Sequence, residues 1–277
     1  MKIAVLADIH ANFEALQTVA AHIEAWRPDR VVVAGDIVNR GPRSPECLNF
    51  VLEKAQTDDW LIVRGNHEDY VISVTREKHT HSDIDRAFLQ AIYWTEQQLR
   101  EQVDTLAAFP DQQSLYLFDR DEVRITHGSM CGIRDGIYPG TEDEELREKI
   151  APPPAVLCVG HTHRPLVRQI DETLVVNVGA VGLPFDGDTR AAYGQLEWRN
   201  GNWQARIIRL TYDLAQAERD FEETGFLEHG GPLVPLVLDE LRKARSHLYS
   251  WTRQYHPLIM NGEISMAESV RQYMATW

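Results

Sequence analysis

Short apolar segments of this chain end, one after another, in aspartate, asparagine or histidine. Three of them are "KIAVLADIH", "RVVVAGD" and "WLIVRGNHE", and helix-like segments separate them. The apolar runs have the length and the β-branched content of buried strands. Their alternation with helices predicts a parallel sheet with helices on both faces. This βαβαβ pattern restricts the fold more than any property of the composition does, and it places the chain in the α/β class.

The second half of the chain follows a different pattern. Short strands such as "EVRITHG", "VLCVG", "TLVVNVG", "AAYGQLEW" and "WQARIIRL" succeed one another with turns between them. This spacing predicts a second sheet, mixed or mostly antiparallel. We expect a core domain over residues 1–212 with a helical insertion at about 69–108. A helical extension over residues 213–277 is expected to pack on that core.

Composition excludes several classes of function. The 277 residues carry a net charge of −14, so the chain lacks the basic surface of a general nucleic-acid binder or of a polybasic membrane anchor. Three widely spaced cysteines do not form a disulfide framework and indicate a reducing compartment. The first apolar run is too short for a signal peptide, and no stretch approaches membrane-spanning length. We therefore expect a cytoplasmic protein; no pattern indicates its oligomeric state.

The polar residues after the predicted strands are candidates for a metal site. The carboxyl ends of strands are where open α/β sheets form their sites, so these side chains should converge on one edge. The candidates are Asp8, His10, Asp36, Asn66, His127, His161 and His163. Imidazole together with carboxylate suits Mn, Fe, Zn or Co, whereas Mg and Ca prefer oxygen alone. Two such ions about 3.5–4 Å apart can hold both the attacking and the leaving oxygen of a phosphate.

The order of these motifs resembles a known family. D-x-H, G-D, G-N-H-E, H-G and G-H-x-H follow one another here as they do in the calcineurin-like metallophosphoesterases, over residues 1 to about 200. The resemblance implies a sandwich of two mixed β-sheets flanked by helices, with a dinuclear site at one sheet edge. It implies that one ion is held by Asp8, His10, Asp36 and His163, and the other by Asp36, Asn66, His127 and His161. Mn or Fe are the ions we favour.

The pair in "GHTH" has a simple geometric interpretation. Residues i and i+2 of an extended segment point the same way. We therefore expect His161 and His163 both to face the site, one for each ion. A second H-x-H pair, His79 and His81, lies in a polar segment, and we expect it to be exposed to solvent.

Two further residues match positions that act on the phosphate in such enzymes. His67 corresponds to the histidine that contacts phosphate and protonates the leaving oxygen, and Arg40 to the phosphate-binding arginine of the protein phosphatase branch. That branch has G-D-x-V-D-R-G where this chain has "GDIVNRG". Asn39 thus replaces the aspartate that would support a charged His67. His163 belongs to the G-H-x-H branch, which protein phosphatases lack.

The resemblance implies hydrolysis of a phosphate monoester or diester by attack of a metal-bridging hydroxide, assisted by Arg40 and His67. Because Asn39 cannot stabilise an imidazolium by charge, we expect small esters or nucleotides, including dinucleoside polyphosphates, to be preferred to phosphoproteins. Two alternatives stay open. The chain is a protein serine/threonine phosphatase in one, and a non-catalytic scaffold of the same fold in the other.

Overall fold

A computed structural model shows two five-stranded sheets with helices on their outer faces. It describes residues 1–76, 82–117 and 121–276, so His79 and His81 lie outside the described residues. The strands are β1 (Lys2–Leu6), β2 (Arg30–Ala34), β3 (Leu61–Val63), β4 (Gln112–Tyr116), β5 (Glu122–Thr126), β6 (Val156–Val159), β7 (Leu166–Ile170), β8 (Thr173–Asn177), β9 (Ala191–Arg199) and β10 (Asn202–Leu210). The helices are α1 (Phe13–Trp26), α2 (Ser44–Thr57), α3 (Asn66–Arg76), α4 (Asp83–Phe88), α5 (Gln90–Leu99), α6 (Val103–Ala108), α7 (Asp143–Lys149), α8 (Leu214–Glu223), α9 (Phe226–His229), α10 (Val234–Lys243), α11 (Leu248–Met260) and α12 (Met266–Met274).

Both sheets are mixed, as the family resemblance implies. The assignment of strands from the sequence pattern was wrong in one respect: β9 and β10, expected in the second sheet, extend the first sheet as antiparallel strands, because β9 pairs with β1. The first has the order β10-β9-β1-β2-β3, in which β1, β2 and β3 are parallel and β9 and β10 are antiparallel. The second has the order β4-β5-β6-β8-β7, in which β5, β6 and β8 are parallel. Leu6 lies beside Val33, which lies beside Ile62, so the three parallel strands of the first sheet end at the same level. Their following loops therefore meet at one edge.

An apolar layer joins the two sheets. Val5 and Val32 from the first sheet pack in one buried cluster with Ile125 and Cys158 from the second. Fully burying a side chain of this kind contributes roughly 1.5–3 kcal/mol. The layer therefore holds the sheets in one relative position, and with them the loops that follow β5 and β6.

One predicted boundary differs in the structure. The third apolar run, "WLIVRGN", forms a strand of only three residues, and Asn66 and His67 are the first residues of α3 rather than the end of β3. Directly after the strand, the backbone N–H of Arg64 donates to the carbonyl of Pro110. The start of α1 agrees with the prediction, since the Asn12 side chain accepts a hydrogen bond from the backbone N–H of Ala15.

The helices after β10 extend the structure beside the first sheet. Ala217 and Phe221 of α8 and Leu241 of α10 belong to the buried cluster that covers its outer face. Helices α11 and α12 form a further cluster around Trp251, which includes Leu236 of α10. Helix α10 thus contacts both clusters. None of the described helices has the length and apolar character needed to cross a membrane.

Candidate metal centre

All seven predicted metal-site residues lie at one edge of the sandwich. Asp8 and His10 follow β1, Asp36 follows β2, Asn66 begins α3 after β3, His127 follows β5, and His161 and His163 follow β6. The cluster therefore draws on both sheets. It is buried except at His161, which is partly accessible.

Four of these residues form a compact first group. One ligand atom from each of Asp8, His10, Asp36 and His163 lies within 4.8 Å of the others. Nε2 of His163 is 3.3 Å from Oδ1 of Asp8, and Nε2 of His10 is 3.6 Å from Oδ2 of Asp36. The two Nε2 atoms of His10 and His163 are themselves only 3.1 Å apart. This set of atoms could surround a single cation.

A second group shares Asp36. Nε2 of His127 lies 3.3 Å from Oδ2 of Asp36 and 2.9 Å from Oδ1 of Asn66. Nδ1 of His161 lies 2.7 Å from the same Asn66 oxygen. Asp36 stands between the two groups, because its Oδ2 faces both His10 and His127. The two groups of potential ligands thus share one carboxylate.

Hydrogen bonds outside the cluster orient the three strand-end imidazoles. Nδ1 of His163 donates to the carbonyl of Leu183, and Nδ1 of His127 donates to the carbonyl of Ala34 at 2.8 Å. Nε2 of His161 donates to the carbonyl of Arg134 at 3.1 Å. The other nitrogen of each ring then points into the cluster. Metal-binding histidines are held in this way by a backbone carbonyl or carboxylate.

A buried carboxylate oxygen in the cluster lacks a hydrogen-bond donor in the described part of the chain. Oδ1 of Asp8 is buried and has no hydrogen-bond partner among the described residues. With its other nitrogen bonded to Leu183, neutral His163 presents a lone pair to that oxygen rather than a proton. Two buried acceptors facing each other are unfavourable unless a cation or a proton lies between them. The residues present therefore fit a bound metal cation.

Burial and neighbouring charges shift the pKa values of the metal-free cluster. Burial lowers the pKa values of His10 and His161. Burial alone would also lower the pKa of His127, but the charge of Asp36 and a hydrogen bond to it raise that pKa to about 10. Burial would raise the pKa of Asp36, but His127 and His67 hold it well below the usual range. Asp36 is therefore an anion, paired with a protonated His127 in the metal-free protein.

The backbone at the cluster is left-handed at most of the candidate ligands. The φ angle is +55° at Asp8, +49° at His10, +55° at Asp36, +67° at His161 and +57° at His163. The extended geometry expected for "GHTH" is therefore wrong, although both imidazoles reach the cluster. Left-handed backbone costs a non-glycine residue roughly 1–2 kcal/mol. Each loop is held in this conformation by the contacts around it.

Glu68 is a residue whose part in the site the sequence did not indicate. Its Oε2 accepts hydrogen bonds from the backbone N–H groups of Asp36 and Gly65, at 2.8 and 2.7 Å. Its Oε1 accepts from Ile37 at 2.8 Å and Val38 at 3.2 Å. Burial and the charge of Asp36 raise the pKa of Glu68 to about 7. This carboxylate fastens the loop after β2 to the loop after β3.

The same two loops explain the glycines of the G-D and G-N-H-E motifs. A Cβ on Gly35, where φ is +84°, would lie 2.6 Å from Cα of Gly65. A Cβ on Gly65 would lie 2.1 Å from Oδ1 of Asp36. The loops approach so closely that neither position accepts a side chain.

His67 lies against the cluster without being part of either group. Its backbone N–H donates to Oδ1 of Asp36 at 2.8 Å, and its ring packs edge-on against His10 at 4.8 Å between centroids. Nδ1 of His67 is 2.9 Å from the side-chain nitrogen of Asn39. Burial lowers the pKa of His67 to about 3, despite the opposing charge of Asp36. The imidazole is therefore neutral.

Arg40 lies between the cluster and the C-terminal helices. Its guanidinium is 3.3 Å from Oε2 of Glu240 on α10 and 5.8 Å from the centre of the Phe185 ring. Glu240 is fully buried. Sequence reasoning did not find Glu240, because nothing in the helical pattern of the last 65 residues distinguishes this glutamate from its neighbours.

Comparison with known proteins identifies the family. Residues 1–201 match the model of the calcineurin-like phosphoesterase superfamily domain. Phosphodiesterase YfcE of Escherichia coli K12 is 26% identical over 208 residues, which cover 71% of this chain and 88% of that protein. The symmetrical bis(5'-nucleosyl)-tetraphosphatase of Psychromonas ingrahamii is 31% identical over 83 residues, which cover 30% of this chain and 29% of that protein.

A solved structure agrees with this assignment. The metallophosphoesterase from Sphaerobacter thermophilus superposes with a TM-score of 0.69 at 28% identity, over 88% of this chain and 100% of that chain. The family and the two-sheet fold predicted from the sequence are thus confirmed. The chain belongs to the calcineurin-like phosphoesterase superfamily and is a phosphoester hydrolase.

Proposed function

We propose that this protein hydrolyses small phosphate esters or nucleotides, dinucleoside polyphosphates among them, at a dinuclear centre. Asp8, His10, Asp36 and His163 would hold one ion, and Asp36, Asn66, His127 and His161 the other. The observation that carries the proposal is Oδ1 of Asp8, which is buried without a hydrogen-bond partner among the described residues and lies 3.3 Å from Nε2 of His163, inside a group of four potential ligands. Two Mn or Fe ions, when bound, would lower the pKa of the attacking water and stabilise charge on the phosphate.

Arg40 is proposed to bind the phosphate. A guanidinium can donate two parallel hydrogen bonds to phosphate oxygens. Its side chain is 22% exposed, so a ligand can reach it from solvent. Its guanidinium is 5.8 Å from the centre of the Phe185 ring, which stacks on His163 at 4.3 Å between centroids, so Arg40 lies close to the cluster.

His67 is proposed to donate a hydrogen bond from Nε2 to the phosphate or to the leaving oxygen. The ring is neutral and accepts at Nδ1, so its remaining proton is on Nε2. A neutral imidazole is a weaker acid than an imidazolium. Leaving groups that depart without full protonation, such as nucleotide phosphates and aryl oxides, are therefore favoured over the serine or threonine alkoxide of a phosphoprotein. The names of YfcE and of the tetraphosphatase support a diester or dinucleotide substrate.

Metal analysis is the first test. After loading with Mn and desalting, we expect about two ions per chain by elemental analysis. His161→Ala and His163→Ala should each weaken the retention of one ion. Protein that retains no metal would contradict the proposal and favour the scaffold alternative.

Activity on a panel of substrates is the second test. Mn-loaded protein should hydrolyse p-nitrophenyl phosphate, bis(p-nitrophenyl) phosphate and diadenosine tetraphosphate faster than a phosphoserine peptide. His67→Ala should lower kcat by roughly 10²-fold or more while both ions are retained. A clear preference for the phosphopeptide would instead support the protein phosphatase alternative. Loss of metal from His67→Ala would show that His67 is a ligand.

A further inference from the structure

A groove outside the metal cluster begins at Arg40 and follows α11. Its volume is about 530 Å³, which falls within the roughly 300–1,000 Å³ of small-molecule sites. Arg40 also borders a smaller cavity that contains His10. Arg40 therefore lines both this groove and a cavity that reaches the candidate ligand His10.

The groove presents one face of α11. Tyr249, Thr252, Arg253 and His256 follow the spacing i, i+3, i+4 and i+7, which places them on the same side of the helix. None of the described residues that line the groove carries a carboxylate, although the chain as a whole has a net charge of −14. Arg253 forms no ion pair with a described carboxylate. Arg253 thus supplies the groove with a positive charge that no described carboxylate pairs with, whereas the charge of Arg40 is shared with Glu240.

The groove also contains an exposed aromatic side chain, that of Tyr249. The Tyr249 side chain is 69% exposed, so its ring is accessible to a ligand. A planar ligand could stack on it. Exposed tyrosine beside unpaired arginine is the combination that binds aromatic bases and phosphates together.

Glu240 connects the two walls of the groove. Its Oε2 pairs with Arg40, and its Oε1 accepts hydrogen bonds from the backbone N–H groups of His247 and Leu248, at 2.6 and 2.9 Å. These two residues stand at the beginning of α11. A single buried carboxylate therefore fixes the phosphate-binding candidate and the helix relative to each other, so the groove is formed before a ligand arrives.

We propose that this groove is the leaving-group subsite, and that the leaving group it takes is a nucleoside phosphate. The base would stack on Tyr249, and the phosphate between base and scissile bond would lie between Arg253 and Arg40. This inference rests on the proposed function, since it assigns a substrate class to the same centre. It gives the C-terminal helices a role in substrate selection.

Paired variants on α11 test the charge. Arg253→Gln should lower kcat/KM for diadenosine tetraphosphate by about tenfold or more, chiefly through KM. It should change kcat/KM for p-nitrophenyl phosphate less than about twofold, because that leaving group carries no phosphate. Gln254→Glu makes the same change in net charge at the neighbouring position, outside the groove. It should leave kcat/KM unchanged for both substrates. Equal losses on both substrates, or equal effects of the two variants, would overturn the subsite.

Binding of a mononucleotide to metal-free protein tests the stacking without any catalysis. By calorimetry, adenosine 5′-monophosphate should bind more tightly than inorganic phosphate. Tyr249→Ala should remove that difference, and Tyr249→Phe should retain it. Equal affinity of the wild type for the two ligands would overturn the proposal. If nucleotide binds in this way but the loaded protein hydrolyses no ester, the proposed function fails and the subsite stands as a nucleotide site.

Discussion

Asn39 donates a hydrogen bond from its side-chain amide to Nδ1 of His67, across 2.9 Å. The direction follows from the rest of the network, because the amide oxygen already accepts from the backbone N–H of Arg40 at 2.8 Å. An aspartate here would accept from His67, whereas asparagine donates to it. The replacement seen in the sequence thus reverses the polarity of this hydrogen bond, and it opposes a second proton on the ring.

Asn39→Asp should restore the charged partner. We expect the pKa of His67 to rise, because the carboxylate accepts from Nδ1–H and stabilises the imidazolium. The alkaline limb of kcat/KM against pH should then move upward, and phenyl phosphate should gain more than p-nitrophenyl phosphate. Asn39→Ala, which removes the hydrogen bond without adding charge, is the control. A pH profile that matches the wild type would show that residue 39 does not govern the protonation of His67.

Glu68→Gln should be strongly destabilising. The amide nitrogen would face two backbone N–H groups that now share one carboxylate oxygen. Leaving them unsatisfied costs about 1–3 kcal/mol each, so the free energy of unfolding should fall by about 2–4 kcal/mol. Glu46→Gln, which removes the charge from a partly exposed pair with Arg43, should cost less than about 1 kcal/mol. Denaturant unfolding at pH 8 measures the free energy of unfolding of both variants. If both variants lost a similarly small amount of stability, the role given to Glu68 would be contradicted.

The metal-free protein should become less stable as the pH rises above 7. His127 has a pKa of about 10 in the folded state against 6.5 as its ordinary value. The folded state therefore holds a proton that the unfolded chain has lost, and stability falls until the pH passes the folded pKa. The slope is up to about 1.4 kcal/mol per pH unit.

His127→Gln isolates this contribution. Between pH 7 and 8.5 its stability in EDTA should vary less with pH than that of the wild type. The window stays below the range in which the buried thiols of Cys47 and Cys158, whose pKa values are raised by burial, act in the same direction. If the free energy of unfolding had the same slope against pH in both proteins, His127 would be neutral in the metal-free protein.

Glycine should be a better replacement than alanine at His163. Alanine is normally the more stable of the two by roughly 0.5–1 kcal/mol, but the φ of +57° at His163 reverses the order. We expect His163→Gly to exceed His163→Ala in metal-free stability by up to about 1 kcal/mol. At His127, outside the left-handed region, the alanine variant should be the more stable. Thermal unfolding of the glycine and alanine variants at both positions tests this prediction. If alanine were the more stable replacement at both positions, the prediction would be wrong.

The sequence predicted those parts of the site that depend on local pattern. Apolar runs that stop at Asp8, Asp36 and His127 indicate where parallel strands end, and sheet geometry then brings those ends together. Glu68 belongs to the G-N-H-E motif, but its role was not predicted, because its backbone partners at Asp36 to Val38 lie about 30 residues away. Glu240 was not predicted at all, because its partner Arg40 lies 200 residues away and a glutamate in a helix is ordinary. The left-handed backbone at His161 and His163 also escaped it, since histidine carries no preference strong enough to indicate that conformation.

The left-handed residues of the cluster affect how the sequences of relatives can be interpreted. At Asp8, His10 and His163, selection for a chemical group opposes the conformational preference of the backbone. A descendant released from catalysis would gain stability by accepting glycine or asparagine at these places. Glycine at such positions in a homologue then indicates that the homologue has lost catalysis. This loss can be recognised in a sequence before any assay is made.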